Sequence, residues 1–195
     1  MTFMLARFRL LLLVLGFLCV YSCSSPEQED APPVKRYVDE LRQDAQRQGG
    51  TYNHTLACYV DLTRPDNRNR FFVLDLIRRK IVLEAPCLNG LMSAQGQVCY
   101  SNEFNSNCSS RGLARIGERY VGSFGRAFRL YGLEPSTSNL RARAVVLHAW
   151  AGVPARPTAG HPIQSEGCPT LNPVVLDTVA AIIARSPKPL LLRLH

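Results

Sequence analysis

Cys168, in the stretch SEGCP at 165–169, is the side chain of this sequence best suited to covalent chemistry. A thiolate is a strong nucleophile, but it needs a base within hydrogen-bond reach and donors for the developing oxyanion. His148 ends the apolar run AVVLH and is the candidate base, while His161, in the proline-rich segment that follows, is a rival. Gly167 allows the backbone to approach a substrate closely. These residue types indicate a cysteine–histidine enzyme, although a histidine at a strand end is more often structural.

The other cysteines leave the role of Cys168 open. Cys19 and Cys23 lie near the start of the chain, and five cysteines follow. In an oxidising compartment an odd number leaves at least one thiol unpaired. The clustered Cys87, Cys99 and Cys108 are better disulfide candidates than Cys168, but the sequence does not fix the pairing among Cys58, Cys87, Cys99 and Cys108.

Metal binding is a weaker interpretation of the same residues. His148, His161 and Cys168 could meet in principle, but the sequence has no C-x-x-C or H-E-x-x-H spacing. Those spacings are typical of zinc sites. We therefore expect no metal and no other cofactor.

The elements that must position these residues are mostly strands. Alternating or apolar runs predict strands at 57–63, 70–77, 81–85, 127–134, 143–150 and 190–194. The stretch 86–125 is rich in Gly, Ser and Asn, so we expect loops to dominate there. Helices are predicted at 34–48, from an apolar stripe at helical spacing, and at 172–186, where Asn172 can cap and Pro173 suits the first turn. The predicted fold is a mainly β (α+β) domain with one helix near each end.

The start of the chain resembles an export signal. Arg7 and Arg9 precede an apolar run from Leu10 to Val20, which is too short to span a bilayer. Ser22-Cys23 resembles the processing site of a bacterial lipoprotein, with an ordinary signal peptide as the alternative. The sequence thus predicts a signal peptide at 1–22, a lipidated tether at 23–33 attached through Cys23, and a domain at 34–195.

Charge and export together narrow the partners. The net charge of +8 falls to +6 without residues 1–22, which contain two arginines and no acidic residue. A basic surface favours anionic partners. For an exported protein, nucleic acid is not expected, and an anionic envelope polymer fits better. We expect a membrane-anchored monomer of the bacterial cell envelope that faces the periplasm.

Two sequence blocks carry a resemblance to a known family. The block YGLEPSTSNLRARAVVLHAW (131–150) and the block SEGCP (165–169) resemble the signature of murein L,D-transpeptidase catalytic-domain (YkuD-like) proteins. The resemblance extends upstream through VDLTRPDNRNRFFVLDL (60–76) and YSNEFNSNCSSRGLARIGERYVG (100–122), and covers about 57 to 194. It implies an L,D-transpeptidase-like β-sandwich or barrel with an N-terminal helix and one helix after the cysteine.

The resemblance also implies residue roles and a substrate. Cys168 would be the nucleophile, His148 the base, and peptidoglycan stem peptides the substrate. Ser165 and Gly167 match positions beside the nucleophile, where the backbone would supply oxyanion donors. Arg143 and Tyr120 are candidates to line the cleft, with Arg143 suited to a substrate carboxylate; a surface arginine is the alternative.

The sequence departs from the family beside the nucleophile. Glu166 replaces the histidine that many relatives have before the glycine, and a negative charge there would raise the pKa of the thiol if it pointed inward. Trp150 could form a cleft wall or belong to the core. Two alternatives stay open: a non-catalytic envelope lipoprotein that binds peptidoglycan, and an L,D-carboxypeptidase or other cysteine peptidase.

Overall fold

The computed structural model describes residues 31–159 and 164–195. The predicted signal peptide at 1–22, the lipidation site Cys23 and the rival base His161 lie outside these residues. Within them, no helix is long and apolar enough to cross a membrane. The fold is that of the unit Pro33–His195.

Eight strands form one sheet in the order β3-β2-β1-β8-β4-β5-β6-β7. The strands are β1 (Leu56–Val60), β2 (Phe71–Asp75), β3 (Lys80–Ala85), β4 (Gly112–Gly122), β5 (Gly125–Gly132), β6 (Val146–Ala149), β7 (Thr170–Leu171) and β8 (Leu191–Leu194). Helix α1 spans Val34–Arg47 and helix α2 spans Pro173–Arg185. The sheet is antiparallel except for the β1–β8 and β6–β7 pairs, which are parallel. The predicted mainly β fold with a helix near each end is confirmed.

Alternation along the strands gives the sheet a core on each face. Neighbouring residues such as Cys58 and Tyr59 point to opposite sides, as the two-residue period of a strand requires. Tyr59 packs under α1, where its ring stacks on that of Tyr37 with centroids 4.1 Å apart. Cys58 belongs to the larger core, which also receives Leu176 from α2. Both helices therefore cover the sheet through the apolar stripes visible in the sequence.

The expectation that loops dominate 86–125 is wrong for its last part, because β4 occupies the centre of the sheet between β8 and β5. Three glycines in β4 disguise it. Gly117 lies at a register shift in the β4–β5 pair, and a Cβ there would meet the Tyr131 ring at 2.5 Å. A glycine inside a strand often marks such an irregularity or a close approach. Gly117 therefore favoured a loop in the sequence, although β4 needs a glycine there to leave room for Tyr131.

The two edges of the sheet meet near the candidate nucleophile. Leu88 follows β3 by three residues and forms an antiparallel bridge with Thr170 of β7, in which its N–H donates to the Thr170 carbonyl at 3.1 Å. This contact ties the far edge of the sheet to the strand that directly follows Cys168.

Candidate active site

The parallel pair β6–β7 brings the candidate base and nucleophile together. His148 lies opposite Thr170 in the register, and Cys168 precedes Thr170 by two residues. Asn172 then caps α2 by accepting from the Val174 N–H at 3.0 Å. The segment that contains Cys168 thus leads directly into a short strand and a capped helix, and His148 sits on a buried strand beside it.

The Cys168 thiol is bonded to backbone groups at the entrance to β6. The N–H of Val146 donates to Sγ at 3.4 Å, and Sγ lies 3.9 Å from the carbonyl oxygen of Ala144, a residue with φ of +56°. Burial raises the pKa of Cys168, and the charge of Glu166 adds to this, whereas the Val146 N–H and the charge of Arg143 lower it. Because burial is the largest influence, the cysteine rests as a neutral thiol.

His148 is 7% exposed, and each ring nitrogen has a partner. Nδ1 lies 3.0 Å from the carbonyl oxygen of Ala149, and Nε2 lies 3.0 Å from Oγ1 of Thr170. The ring of Phe124 stacks on the imidazole with centroids 4.9 Å apart. Burial lowers the pKa of His148, and the bond to the Ala149 carbonyl opposes that change. The pair therefore rests as neutral imidazole and neutral thiol, the state from which a general base can act.

A cavity of about 250 Å³ opens over the pair. Its lining comes from the two sides of the β6–β7 pair, from the tip of the β4–β5 hairpin and from the edge contact at Leu88. The residues are Leu88, Phe124, His148, Trp150, Gln164, Ser165, Glu166, Cys168 and Thr170. Trp150 is thus part of the cleft wall. The combination of apolar walls and a few polar groups is typical of a small ligand site.

Ser165 and Gly167 shape the turn that presents Cys168. The Ser165 hydroxyl donates to the Cys168 carbonyl at 2.7 Å and accepts from the Gly167 N–H at 3.2 Å. Gly167 has φ of +102°, and a Cβ there would lie 2.4 Å from the Cys108 carbonyl oxygen. Both residues lie beside Cys168, and their contacts are those of a turn.

Arg143 lies behind the turn, with its guanidinium directed at a single segment. Its nitrogens donate to the carbonyl oxygens of Ser101 and Cys108 at 2.7 and 2.9 Å, and to the hydroxyls of Ser110 and Ser106 at 2.8 and 3.1 Å. We call residues 101–110 the Arg143-bound segment. Its Cys108 carbonyl packs against Gly167, so Arg143 supports the turn from behind and acts on Cys168 through its charge.

Tyr120 is not among the residues that line the cavity. It pairs with Ala127, which in turn pairs with His148 on the next strand. The guanidinium of Arg129 lies over its ring at 4.3 Å. The structure therefore brings Cys168, His148, Ser165 and Gly167 together and leaves Tyr120 two strands away.

Two residues of the site were absent from the sequence-based prediction. Thr170 bridges His148 and the carbonyl of Cys168, and Phe124 covers the imidazole ring. Thr170 had a usable signal, because residues two apart in an extended chain lie on the same face, and it follows Cys168 by two. Phe124 had none, because its contact with His148 depends on where the turn of the β4–β5 hairpin falls.

Within 31–159 and 164–195, no group of three or more His, Cys, Asp or Glu side chains could hold a metal ion. Cys58, Cys87, Cys99, Cys108 and Cys168 are all free thiols in this structure. Burial raises the pKa of both Cys58 and Cys87 to about 12, so neither is a reactive thiolate at neutral pH.

The family model of the L,D-transpeptidase catalytic domain matches residues 33–188. That match spans most of the chain, so the chain belongs to this family, and the resemblance carried by the 131–150 and 165–169 blocks is confirmed. A search of curated proteins found no match to the chain.

Three solved structures are among those similar to this chain. The Ldtfm–avibactam carbamoyl enzyme is 12% identical over 72% of this chain and 49% of its own, with a TM-score of 0.43. The helical cell shape determining protein Pgp2 from Campylobacter jejuni is 14% identical over 83% and 55%, with a TM-score of 0.46. The L,D-transpeptidase LdtMt1 in complex with imipenem is 14% identical over 72% and 59%, with a TM-score of 0.42. This chain thus spans about half to three fifths of the length of these structures.

Proposed function

We propose that this protein is a cysteine acyltransferase of the L,D-transpeptidase type that acts on peptidoglycan stem peptides. The observation that carries the proposal is the shared cavity. Cys168 and His148 line the same space of about 250 Å³, on neighbouring segments of a chain that belongs to the L,D-transpeptidase catalytic domain family. Family membership supports the substrate class, and the shared cavity supports Cys168 as the nucleophile and His148 as the base.

In the acylation step, Cys168 attacks the carbonyl that joins the L-centre of a diamino acid residue to D-alanine. The thiol proton passes to Nε2 of His148, the S–C bond forms, and the carbonyl oxygen takes the negative charge. When the tetrahedral species collapses, the C–N bond breaks, His148 returns the proton to the leaving amine, and D-alanine departs. The product is a thioester on Cys168.

The second step transfers the acyl group. An amine from a neighbouring stem attacks the thioester, gives up a proton to His148, and displaces the Cys168 sulfur, which recovers that proton. The result is an amide cross-link. Water in place of the amine gives a shortened stem peptide, which is the carboxypeptidase alternative. A protein amine is a third acceptor of the same chemistry.

The resting contacts of the two residues show what substrate binding must change. Sγ is bonded to Val146, and Nε2 of His148 faces Thr170. Catalytic hydrogen bonds often tighten only once a substrate is bound. The Val146 N–H stabilises the thiolate as it forms. The Cys168 N–H, for which the described residues supply no partner, is available to the oxyanion.

The alternative is an envelope lipoprotein that binds peptidoglycan without turnover. The neutral thiol and the charge at Glu166 favour it. Glu166 is exposed, however, and its charge is the smallest of the influences on the pKa of Cys168. Solvent screening weakens such a charge, so the departure at this position is compatible with catalysis.

The experiment is intact-protein mass spectrometry of the purified chain after incubation with tetrapeptide muropeptides, with Cys168→Ala as the matched control. We expect an adduct on the wild type alone, together with release of D-alanine. If the wild type stays folded and reduced at Cys168 but forms no adduct and turns over no substrate, the binding lipoprotein becomes the better reading. Analysis of the muropeptide products separates cross-linking from trimming.

We also propose that the protein works at the bacterial envelope, anchored by a lipid on Cys23 and facing the periplasm. The support is the sequence of residues 1–23, and a tether at 23–33 would keep the domain within reach of the wall. Mass spectrometry of the N-terminal peptide tests this. A diacylglycerol-modified Cys23 is expected, and its loss in Cys23→Ala should release the chain from membranes.

A further inference from the structure

We propose that the Thr170 hydroxyl is a positioning group that stabilises the proton His148 takes up on Nε2 and couples that proton to the backbone of Cys168. The inference rests on the proposed function, because it assigns His148 as the base. It concerns a side chain that neither the family motif nor the sequence-based prediction singled out. The observation behind it is a short chain of contacts from the imidazole to the Cys168 carbonyl.

Thr170 is held rigidly between the two catalytic residues. It is 1% exposed, and its Oγ1 lies 3.0 Å from Nε2 of His148 and 3.1 Å from the Cys168 carbonyl oxygen. Its backbone is fixed on both sides, by the β6–β7 pairing and by the N–H of Leu88, which donates to its carbonyl at 3.1 Å. A threonine side chain has few rotamers, so the hydroxyl oxygen has little freedom.

The partners of the imidazole determine its neutral tautomer. The Ala149 carbonyl, 3.0 Å from Nδ1, can only accept a hydrogen bond, so Nδ1 must carry the hydrogen. The lone pair of neutral His148 is then on Nε2. Thr170 is its partner there and donates its single proton to it. The basic nitrogen is therefore the one that contacts Thr170, two residues along the chain from Cys168.

Protonation of His148 reverses the direction of this bond. The new Nε2–H donates to Oγ1 of Thr170, and the hydroxyl proton is then free to turn to the Cys168 carbonyl, 3.1 Å away. That carbonyl already accepts from Ser165 at 2.7 Å. The cationic state thus gains an unbroken chain of donors, in which a charged group makes the first bond. Bonds to charged groups are stronger than neutral ones, so the hydroxyl favours the protonated base.

The surroundings of the ring leave this role to Thr170. The neighbour of His148 on β5 is Ala127, which is apolar, and Phe124 covers the ring face. The titratable groups in the same cavity are Cys168 and Glu166. Sγ of Cys168 is bonded to backbone, and Glu166 is exposed. Among the residues of the cavity, Thr170 is the one in hydrogen-bond contact with Nε2.

The first test reads the proton directly by nitrogen NMR of the full chain, with His148→Gln to assign the signal. Wild-type neutral His148 is expected as the Nδ1–H tautomer. In Thr170→Val, which keeps the shape but removes the hydroxyl, we expect the pKa of His148 to fall by about one unit, since a charged donor loses its acceptor. Thr170→Ser, which restores the hydroxyl, is expected to return the pKa to the wild-type value.

Three results would overturn the inference: an Nε2–H tautomer in the wild type, an unchanged pKa in Thr170→Val, or a Thr170→Ser variant that behaves like Thr170→Val. The wild-type measurement needs no variant, so a Thr170→Val chain that fails to fold does not remove the test. A structural role alone would lower stability in Thr170→Val without lowering the pKa of His148.

The second test separates this inference from the proposed function. The acylation rate of Cys168 by a tetrapeptide muropeptide is expected to drop about tenfold in Thr170→Val at unchanged KM, and to recover in Thr170→Ser. If the adduct forms equally fast in all three proteins, the role of Thr170 is overturned while the proposed function stands. If the wild type forms no adduct but the NMR results are as expected, the proposed function fails and the hydroxyl still stabilises the proton on His148.

Discussion

Gly167→Ala tests how far the geometry of the nucleophile depends on a single missing methyl group. Gly167 has φ of +102°, where an L-residue is strained by about 1–2 kcal/mol. The new Cβ would also lie 2.4 Å from the Cys108 carbonyl oxygen, a backbone atom that cannot turn away. Overpacking of this kind costs about 1–3 kcal/mol. We expect Gly167→Ala to lower the free energy of unfolding by about 2–5 kcal/mol.

A matched control separates the two contributions. Gly125 also has positive φ, +80°, but a Cβ there would have no heavy atom within 4 Å. Gly125→Ala therefore carries the backbone strain without the clash, and we expect it to cost only about 1–2 kcal/mol. Urea denaturation of the two variants, followed by fluorescence of Trp150, measures both free energies.

The same variant has a functional readout. If the chain relieves the clash by shifting the turn, Sγ of Cys168 moves away from the Val146 N–H that now donates to it. We then expect slower alkylation of Cys168 by iodoacetamide, measured at that residue by peptide mapping, and no change in Gly125→Ala. Equal stability losses in the two variants would show that the contact with Cys108 does not constrain the turn, and the reasoning would be refuted.

Three further changes follow from the charges at the site. Glu166→Gln removes a charge that raises the pKa of Cys168, so alkylation of that thiol at pH 8 should become about twofold faster; a slower rate would contradict the assignment. A lysine at position 143 cannot form the four hydrogen bonds that the planar guanidinium makes to the Arg143-bound segment, so Arg143→Lys should lower the free energy of unfolding by about 2–4 kcal/mol, measured by urea denaturation. The control Arg141→Lys, on the exposed surface, should lower it by less than about 0.5 kcal/mol. Burial lowers the pKa of His148 in the folded chain, so the unfolded chain binds the proton at higher pH. The free energy of unfolding of the wild type should therefore fall as the pH drops from about 6.5 toward the folded pKa. The fall should be steeper than in His148→Gln.

The sequence predicted the elements whose periodicity is undisturbed. The stripe of Tyr37, Val38 and Leu41 predicted α1, and the cap and proline at 172–173 predicted α2. β4 was missed because its glycines are explained by contacts with residues distant in sequence, such as the Tyr131 ring over Gly117. β7 was missed because a two-residue strand has no period of its own and exists only as the partner of β6 and of Leu88.

The same distinction holds for the site. Two short sequence blocks contain the predicted site residues: His148 lies in 131–150, and Ser165, Gly167 and Cys168 lie in 165–169. The structure brings the two blocks together. The guanidinium of Arg143 was a candidate for a substrate carboxylate, but its direction depends on four acceptors in the Arg143-bound segment. Those acceptors are backbone carbonyls and serine hydroxyls, which carry no sequence pattern. Polar contacts of this kind are therefore beyond sequence-based prediction, whereas the proximity of Cys168 and His148 is not.

The closure of the sheet edges at Leu88 and Thr170 has an evolutionary consequence. The β6–β7 register and this bridge fix the spacing of His148 and Cys168 independently of the chain that connects the two strands. Insertions, deletions or a transplanted loop between Gly152 and Gln164 can then be accepted while His148 and Cys168 stay in place. The fold thus separates the strands that hold His148 and Cys168 from a connection whose length and sequence are free to vary.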